Sequence, residues 1–369
     1  MSGTTIGTMG GGVSSYDLLG RIVADSAVTK QQLNTLTEQA SSGLIGNSYA
    51  ALGGGASTSL ALQAALAQQQ AWSNNISAVT GQMGVAQTAL QQISSIASNF
   101  FAQTNNLNGL DPNQVDVIAA DAQSALVQVA GLLDTTDGGS YVFAGQDNQN
   151  APVPDPDSIL SSGFYTQINT AVGNLGVNGA AATAANTLNI AASNAAGTSP
   201  FSATLSQPAA TLAGLRSSVQ VGPGQHQSVG ILASGNAAVV SAGSSTTGSY
   251  TRDIMRALAT LGSLSSGMVN TAGFSQLVSD TATSLSGAVT GLNSDAGVMG
   301  DQQTALQSQQ TLIGDTSTAL KGQLSSAEDV DMASTLTQLS QVQTQLQASY
   351  QLIAGEENLS LTRYLTTTG

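Results

Sequence analysis

The feature that most constrains this chain is a set of apolar seams whose positions alternate spacings of three and four. Ile76, Val79, Met83, Ala86, Leu90, Ile93, Ala97 and Phe100 form one such seam, and Val115, Ile118, Ala122, Ala125, Val129 and Leu132 form a second. This period matches one face of an α-helix and no face of a strand. A longer run follows near the C-terminus through Val278, Ala282, Leu285, Val289, Leu292, Ala296, Met299, Gln303, Leu306, Gln310, Ile313, Ser317, Leu320 and Leu324. Such a helix would be on the order of 70 Å long at the standard rise per residue. That length does not fit one compact globule. The fold class predicted is mainly α with an inserted α+β domain, the helices forming a long antiparallel bundle or coiled-coil rod built from both termini.

Helix ends are also readable. Asp111 is placed to cap the second seam, with Pro112 in the first turn and Gly138 as its stop, so the first two helices make a hairpin around residues 105–111. Ser325-Ser326-Ala327-Glu328 reads as a capping box restarting a last helix that carries Leu336, Leu339, Leu346, Tyr350 and Ile353. A weaker N-terminal counterpart runs through Tyr16, Leu19, Val23, Leu33 and Leu36. Several of these positions are Gln, Ser or Ala, so each turn buries little apolar area. The outer segments are therefore expected to need neighbouring copies for full order.

Between the helical halves the pattern changes. SYVFAG, SSVQVG and QSVGILASGNAAVV alternate like short strands around the Gly222-Pro223-Gly224 turn, while the Ala/Asn/Gly/Thr tract at 176–199 supports no assignment. Residues 250–264, with Ile254, Leu258 and Leu261, return the chain to the rod. The expected division is 1–45 as an N-terminal assembly segment, 46–139 and 250–325 as the two halves of the rod, 140–249 as the inserted domain and 326–369 as a C-terminal assembly helix.

Composition excludes most chemistry. The chain has no cysteine and one histidine, His226, so thiolate catalysis, Cys-type zinc sites and multi-His metal sites are ruled out. Seven Lys and Arg against 21 Asp and Glu argue against nucleic acid and anionic lipid. The first residues lack the basic and apolar regions of a cleaved signal, and no window approaches an unbroken membrane-spanning run.

Local motifs favour bland readings. Gly53–Ser59 lacks the spacing and lysine of a phosphate loop and reads as a flexible loop. Gly222–His226 reads as a solvent-facing turn, and Pro154–Ser158 has too few carboxylates for calcium. Glu328, Asp329 and Asp331, with Glu356 and Glu357, are the acids a hydrolase would need, yet helix-dipole complementarity accounts for the first group. No catalytic, cofactor or metal residues are assigned, and no enzyme is expected.

Two segments carry a resemblance. LNTLTEQASSGLIGNSYAALGGGASTSLALQ, residues 33–63, and DVDMASTLTQLSQVQTQLQASYQLIAGEENLSLTRYL, residues 329–365, are similar to the N- and C-terminal motifs of the flagellin superfamily of bacterial axial proteins. Within it, Gly-Ser-Tyr-Val-Phe-Ala-Gly at 139–145, followed by Pro152, and the ending Ser360–Leu365 resemble the branch that joins hook to filament. The resemblance implies an extracellular structural subunit, exported without a cleaved signal and without cofactor. The implied partners are copies of itself, the adjacent hook-associated protein, flagellin and an export chaperone, with no nucleic acid and no membrane. Tyr16, Leu19, Val23, Leu339, Leu346, Tyr350, Ile353 and Leu361 are the expected assembly contacts, and Tyr141, Phe143 and Gly145 the expected domain-junction motif.

Overall fold

The computed structural model describes residues 15–107, 112–238 and 240–358. In chain order it contains α1 (Ser15–Ser42), a short α2 (Tyr49–Leu52), α3 (Ala56–Asn106), α4 (Pro112–Leu133) and a hairpin of β1 (Thr136–Asp137) and β2 (Ser140–Tyr141). Then come α5 (Gly163–Gly173), α6 (Leu175–Ala192), α7 (Ala209–Ala213), a second hairpin of β3 (Ser217–Gly222) and β4 (Gln225–Val229), α8 (Tyr250–Gly262), α9 (Phe274–Glu328) and α10 (Met332–Asn358). The fold is mainly α with small sheets, as the seams predict. The chain divides into two compact units, one of residues 1–68 and 316–369 and one of residues 69–315.

In the second unit the seams are the core. Of the first seam every residue is buried except the half-buried Val79, and along α9 the buried positions run through Leu285, Leu292, Met299, Leu306 and Ile313. The Ser94 hydroxyl donates to Asn293 Oδ1 at 3.1 Å, and the Gln310 amide to Ser77 Oγ at 2.7 Å. Seventeen residues back along α3 are thus matched by seventeen forward along α9, as antiparallel helices of equal rise require. Gln310, a polar seam position, is accommodated because a hydroxyl faces it.

At the centre lies α8, all thirteen of whose residues are buried. It packs on α4, α5 and α6. Its Ile254, Leu258 and Leu261 join the core from the positions read as a seam. The α4 stripe is wider than its seam, with Ala119, Leu126, Ala130 and Leu133 also buried, because α8 and the 3-10 turn Pro156–Ser161 both pack on it. That width makes α4 long and apolar enough by composition to cross a membrane, at mean hydropathy 1.3, against the expectation that no segment would be.

Several expectations need correction. The 176–199 tract, unassigned from composition, is largely α6, where alanine supplies the propensity and Gly179, at φ 76°, breaks the helix. The Gly53–Ser59 stretch is not a loop: Gly53–Gly55 is a 3-10 turn and α3 starts at Ala56. Gly138 does not stop α4, which ends at Leu133. Gly138 and Gly139, at φ 56° and 83°, instead make the two-residue turn between β1 and β2, where a tight hairpin needs left-handed backbone at both positions. The strand content of 140–249 is smaller than its alternation suggests: SYVFAG has strand only at Ser140–Tyr141, and among the described residues the segment after Val229 forms no further strand. β3 and β4 pair as read, around a solvent-exposed turn that holds His226 at its edge. Asp111 lies outside the described residues.

Candidate assembly interface

The first unit contains α1 from the N-terminal part of the chain and α10 from the C-terminal part. α1 and α10 pack along one another. The seam that does so on α1 is Ile22, Ser26, Thr29, Leu33 and Leu36, and on α10 it is Thr335, Leu339, Val342, Leu346, Ser349 and Ile353. Both alternate spacings of four and three, the pattern of interlocking helices. Three of the most buried positions, Ser26, Thr29 and Thr335, are hydroxyl residues. Thr29 and Thr335 turn their hydroxyls back to the carbonyls of Asp25 and Asp331 at 2.8 and 2.9 Å, whereas Ser26 Oγ has no partner. The pair therefore gains less per turn than an all-leucine seam.

The join is held by backbone bonds. Leu44 and Asp329 form an antiparallel bridge, Ile45 N–H donates to the Glu328 carbonyl at 2.7 Å, and Val330 N–H donates to the Gly43 carbonyl at 2.9 Å. Gly43 takes φ 76°, which lets the chain leave α1 toward that bridge. The Glu328 carboxylate accepts from the Ser59 hydroxyl and from the Gln63 amide, the latter at 2.9 Å. The proposed capping box is thus displaced: Glu328 ends α9, and Asp331 caps α10 by accepting from the backbone of Ala333 and Ser334 at 2.9 and 3.2 Å. An acid three residues later serves the same purpose, because a carboxylate complements any helix start.

Of the expected contacts, Leu339, Leu346 and Ile353 lie on the α10 seam. Val23 and Tyr350 do not: they are 51% and 52% exposed, alongside exposed Val28, Leu336 and Leu352. Tyr16 and Leu19 fall on α1 with side chains outside the described residues, and Leu361 lies outside them altogether. Reading missed Ile22, Ser26 and Thr29, because two of the three are polar and the phase of a seam interrupted by hydroxyls is hard to fix from apolar residues alone.

The Tyr141–Gly145 motif lies in the second unit, where three stretches of chain cross. Tyr141 N–H donates to Asn148 O at 2.9 Å, Phe143 O accepts from Ala233 N–H at 2.9 Å, and Gln146 N–H donates to Leu215 O at 2.9 Å. Phe143 is fully buried and Tyr141 half-buried. Gly145 takes φ 64°, and a Cβ there would collide with the Leu215 carbonyl and a Leu232 methyl. Nearby, Val153 N–H donates to Asp134 Oδ1 at 2.8 Å, fixing the proline loop to the end of α4.

Burial pushes the Asp134 carboxyl up to about 6, partly offset by the Val153 bond. The folded form therefore holds this proton more tightly than the unfolded chain, so the charge destabilises above pH 6 and the penalty fades as pH falls toward 4. Asp134→Asn keeps an acceptor for Val153 and removes the charge. It is expected to stabilise the second unit by about 1 kcal/mol at pH 7.5, discounted for partial exposure, with no gain near pH 4. Denaturant titrations at the two pH values check it.

Among the described residues no group of three or more His, Asp and Glu is arranged to hold a metal. Glu328 and Asp329 are engaged in the join just described, and the Glu356 and Glu357 side chains lie outside the description. What the site offers is helical surface.

Residues 283–365 match the family model of the bacterial flagellin C-terminal helical region. The match supports a place in the flagellin superfamily. With it comes support for a self-associating structural subunit of the extracellular bacterial flagellum. The matched segment contains the whole α10 seam and most of α9. No curated protein matches the chain.

Proposed function

We propose that the chain is a subunit of the junction ring between hook and filament, of the hook-associated protein 3 type. The observation that carries this reading over a filament subunit is Gly139–Gly145 with Pro152, the stretch that resembles the junction branch. Its geometry gives the resemblance a physical reason: Gly145 has no room for a side chain, and Asp134 holds the backbone of Val153 directly after Pro152.

Assembly would use the terminal segments 1–45 and 326–369. The α1 and α10 seam is thin, and a row of exposed apolar side chains, Val23, Val28, Leu336, Tyr350 and Leu352, remains for neighbouring copies. Ordering of these helices against adjacent subunits would make binding energy partly folding energy. Export in an unfolded state, with a chaperone on the C-terminal segment, completes the reading. The lack of cysteine suits a threaded chain.

Deleting the gene and viewing the cells by electron microscopy tests it. Bare hooks with flagellin shed into the medium are the expected result. Cells with no shed flagellin and no filament would instead identify a filament subunit.

A further inference from the structure

The arginines of the second unit are drawn into its fold, Arg252 and Arg256 buried and Arg216 half-buried. On α8, Arg252 is only 6% exposed and donates to Ala191 O at 2.9 Å, Ser193 O at 3.1 Å and Asn194 Oδ1 at 2.7 Å, with its guanidinium 5.2 Å from the Phe201 ring centre. Arg216, before β3, donates to Gly230 O through Nε and Nη2 at 3.2 and 2.7 Å, and to Ala237 O through Nη1 at 2.9 Å. Every one of these acceptors is a neutral oxygen. Each guanidinium has five N–H groups, so each keeps donors beyond the three bonds named.

Both line one cavity of about 110 Å³. Among the residues that line it, these two are the charged ones, in a chain where acids outnumber bases by 21 to 7. Asp253 and Asp295 are not among the lining residues, but each lies near a guanidinium: Asp253 acts on the charge of Arg252, and Arg216 acts on that of Asp295. Asp253 accepts from Thr246 and Thr247 at 2.5 and 2.9 Å, and Asp295 accepts from Ala237 N–H at 2.5 Å. Thr247–Ser249, which lead into α8 and end on its N-cap Ser249, line the same space. The N–H groups of Thr247, Gly248, Ser249 and Tyr250 are taken by protein oxygens, the last by Asn236 Oδ1 at 3.1 Å, so the guanidinium forks are the charged donors the lining offers. Burial lowers the Arg252 pKa to about 10, and the charge of Asp253 opposes the shift.

We propose that this cavity binds a small tetrahedral oxyanion of the phosphate or sulfate class between Arg216 and Arg252. Planar guanidinium forks suit the several oxygens of one tetrahedral centre, and no carboxylate is among the residues that line the cavity. The mouth is rimmed by the exposed Gln207, Ala209 and Ala213, so the anion is either free or the end group of a larger molecule.

Calorimetric titration of the full chain with inorganic phosphate, and in parallel with methyl phosphate, tests this at constant ionic strength against chloride. A dissociation constant on the order of 1 mM or tighter is expected. Ala213→Asp adds a carboxylate on the exposed rim without touching the core, and should weaken binding at least tenfold with the thermal midpoint in chloride unchanged; Arg216→Gln should weaken it as much. Tighter binding of the ester identifies an end group, and tighter binding of the inorganic ion a free anion. No heat with either, or heat that both variants leave unaltered, overturns the proposal and leaves the two arginines as fasteners of the surrounding loops. The test does not depend on the flagellar role.

Discussion

A chain carrying Leu339→Asp together with Leu346→Asp is expected to lose incorporation into flagella by at least about tenfold while its second unit unfolds at an unchanged midpoint. Leu346 is buried and Leu339 half-buried on the α10 seam, so each carboxylate would be drawn out of water with no cation opposite it among the seam residues. Burial of an unpaired carboxylate costs several kcal/mol, whereas the seam that must absorb it already contains Ser26, Thr29 and Thr335. The helix pair separates before the charges are buried. Neither residue belongs to the second unit, so its thermal transition is the internal control. A companion variant, Tyr350→Ser with Leu352→Ser, changes side chains that are 52% and 62% exposed and leaves the seam alone. Loss of incorporation with retained helicity would assign the subunit contact to the exposed face; normal incorporation by either variant would remove that face or that seam from the assembly model.

The second large effect is expected at Gly145. Replacement by valine requires a β-branched residue at φ 64° and places Cβ against the Leu215 carbonyl and Leu232. The backbone strain alone is about 1–2 kcal/mol, and the collision moves a carbonyl that accepts from Gln146 N–H at 2.9 Å. Destabilisation of the second unit by at least ~3 kcal/mol is expected in denaturant titrations. Gly139→Ala separates the two causes: Gly139 has φ 83° but nothing within 4 Å of a Cβ, so it should show the strain alone. Equal losses at the two sites would mean that the close approach at Gly145 contributes nothing.

The helical part of this fold was legible because its period is written in apolar residues. Ile76, Leu90, Ile93 and Leu292 are buried where the spacing puts them, since a long amphipathic helix can turn only one face to its neighbours. The inserted region was less legible. Helix α6 is built from alanine, asparagine and threonine that carry almost no amphipathic signal, and its helicity follows from backbone propensity and from packing on α5 and α8. Arg252 and Arg256 carry no signal of burial in the apolar spacing of α8, which marks only Ile254, Leu258 and Leu261. Both are buried, Arg256 against the Ser245 carbonyl and the Ser284 hydroxyl, because α8 is enclosed and its polar positions are met by loop oxygens that no local pattern announces. On the terminal pair, Leu339, Leu346 and Ile353 lie on the packed face of α10, whereas Leu336 and Tyr350, read on the same seam, are exposed, and Ser26, Thr29, Thr335 and Val342 were not read as seam positions.

The bridge between Leu44 and Asp329 also fixes an order of events. The Ser59 and Glu328 side chains that bond beside it are 269 residues apart in sequence. Contacts of that separation are the slowest for a chain to find, and they cannot form until nearly all of it is present. The second unit, by contrast, is contained in residues 69–315, so its last residue emerges before the first unit has both halves. Whether the chain leaves a ribosome or a narrow pore, the first unit is the last part able to close. A chain stalled before residue 328 would present a finished middle and two open ends.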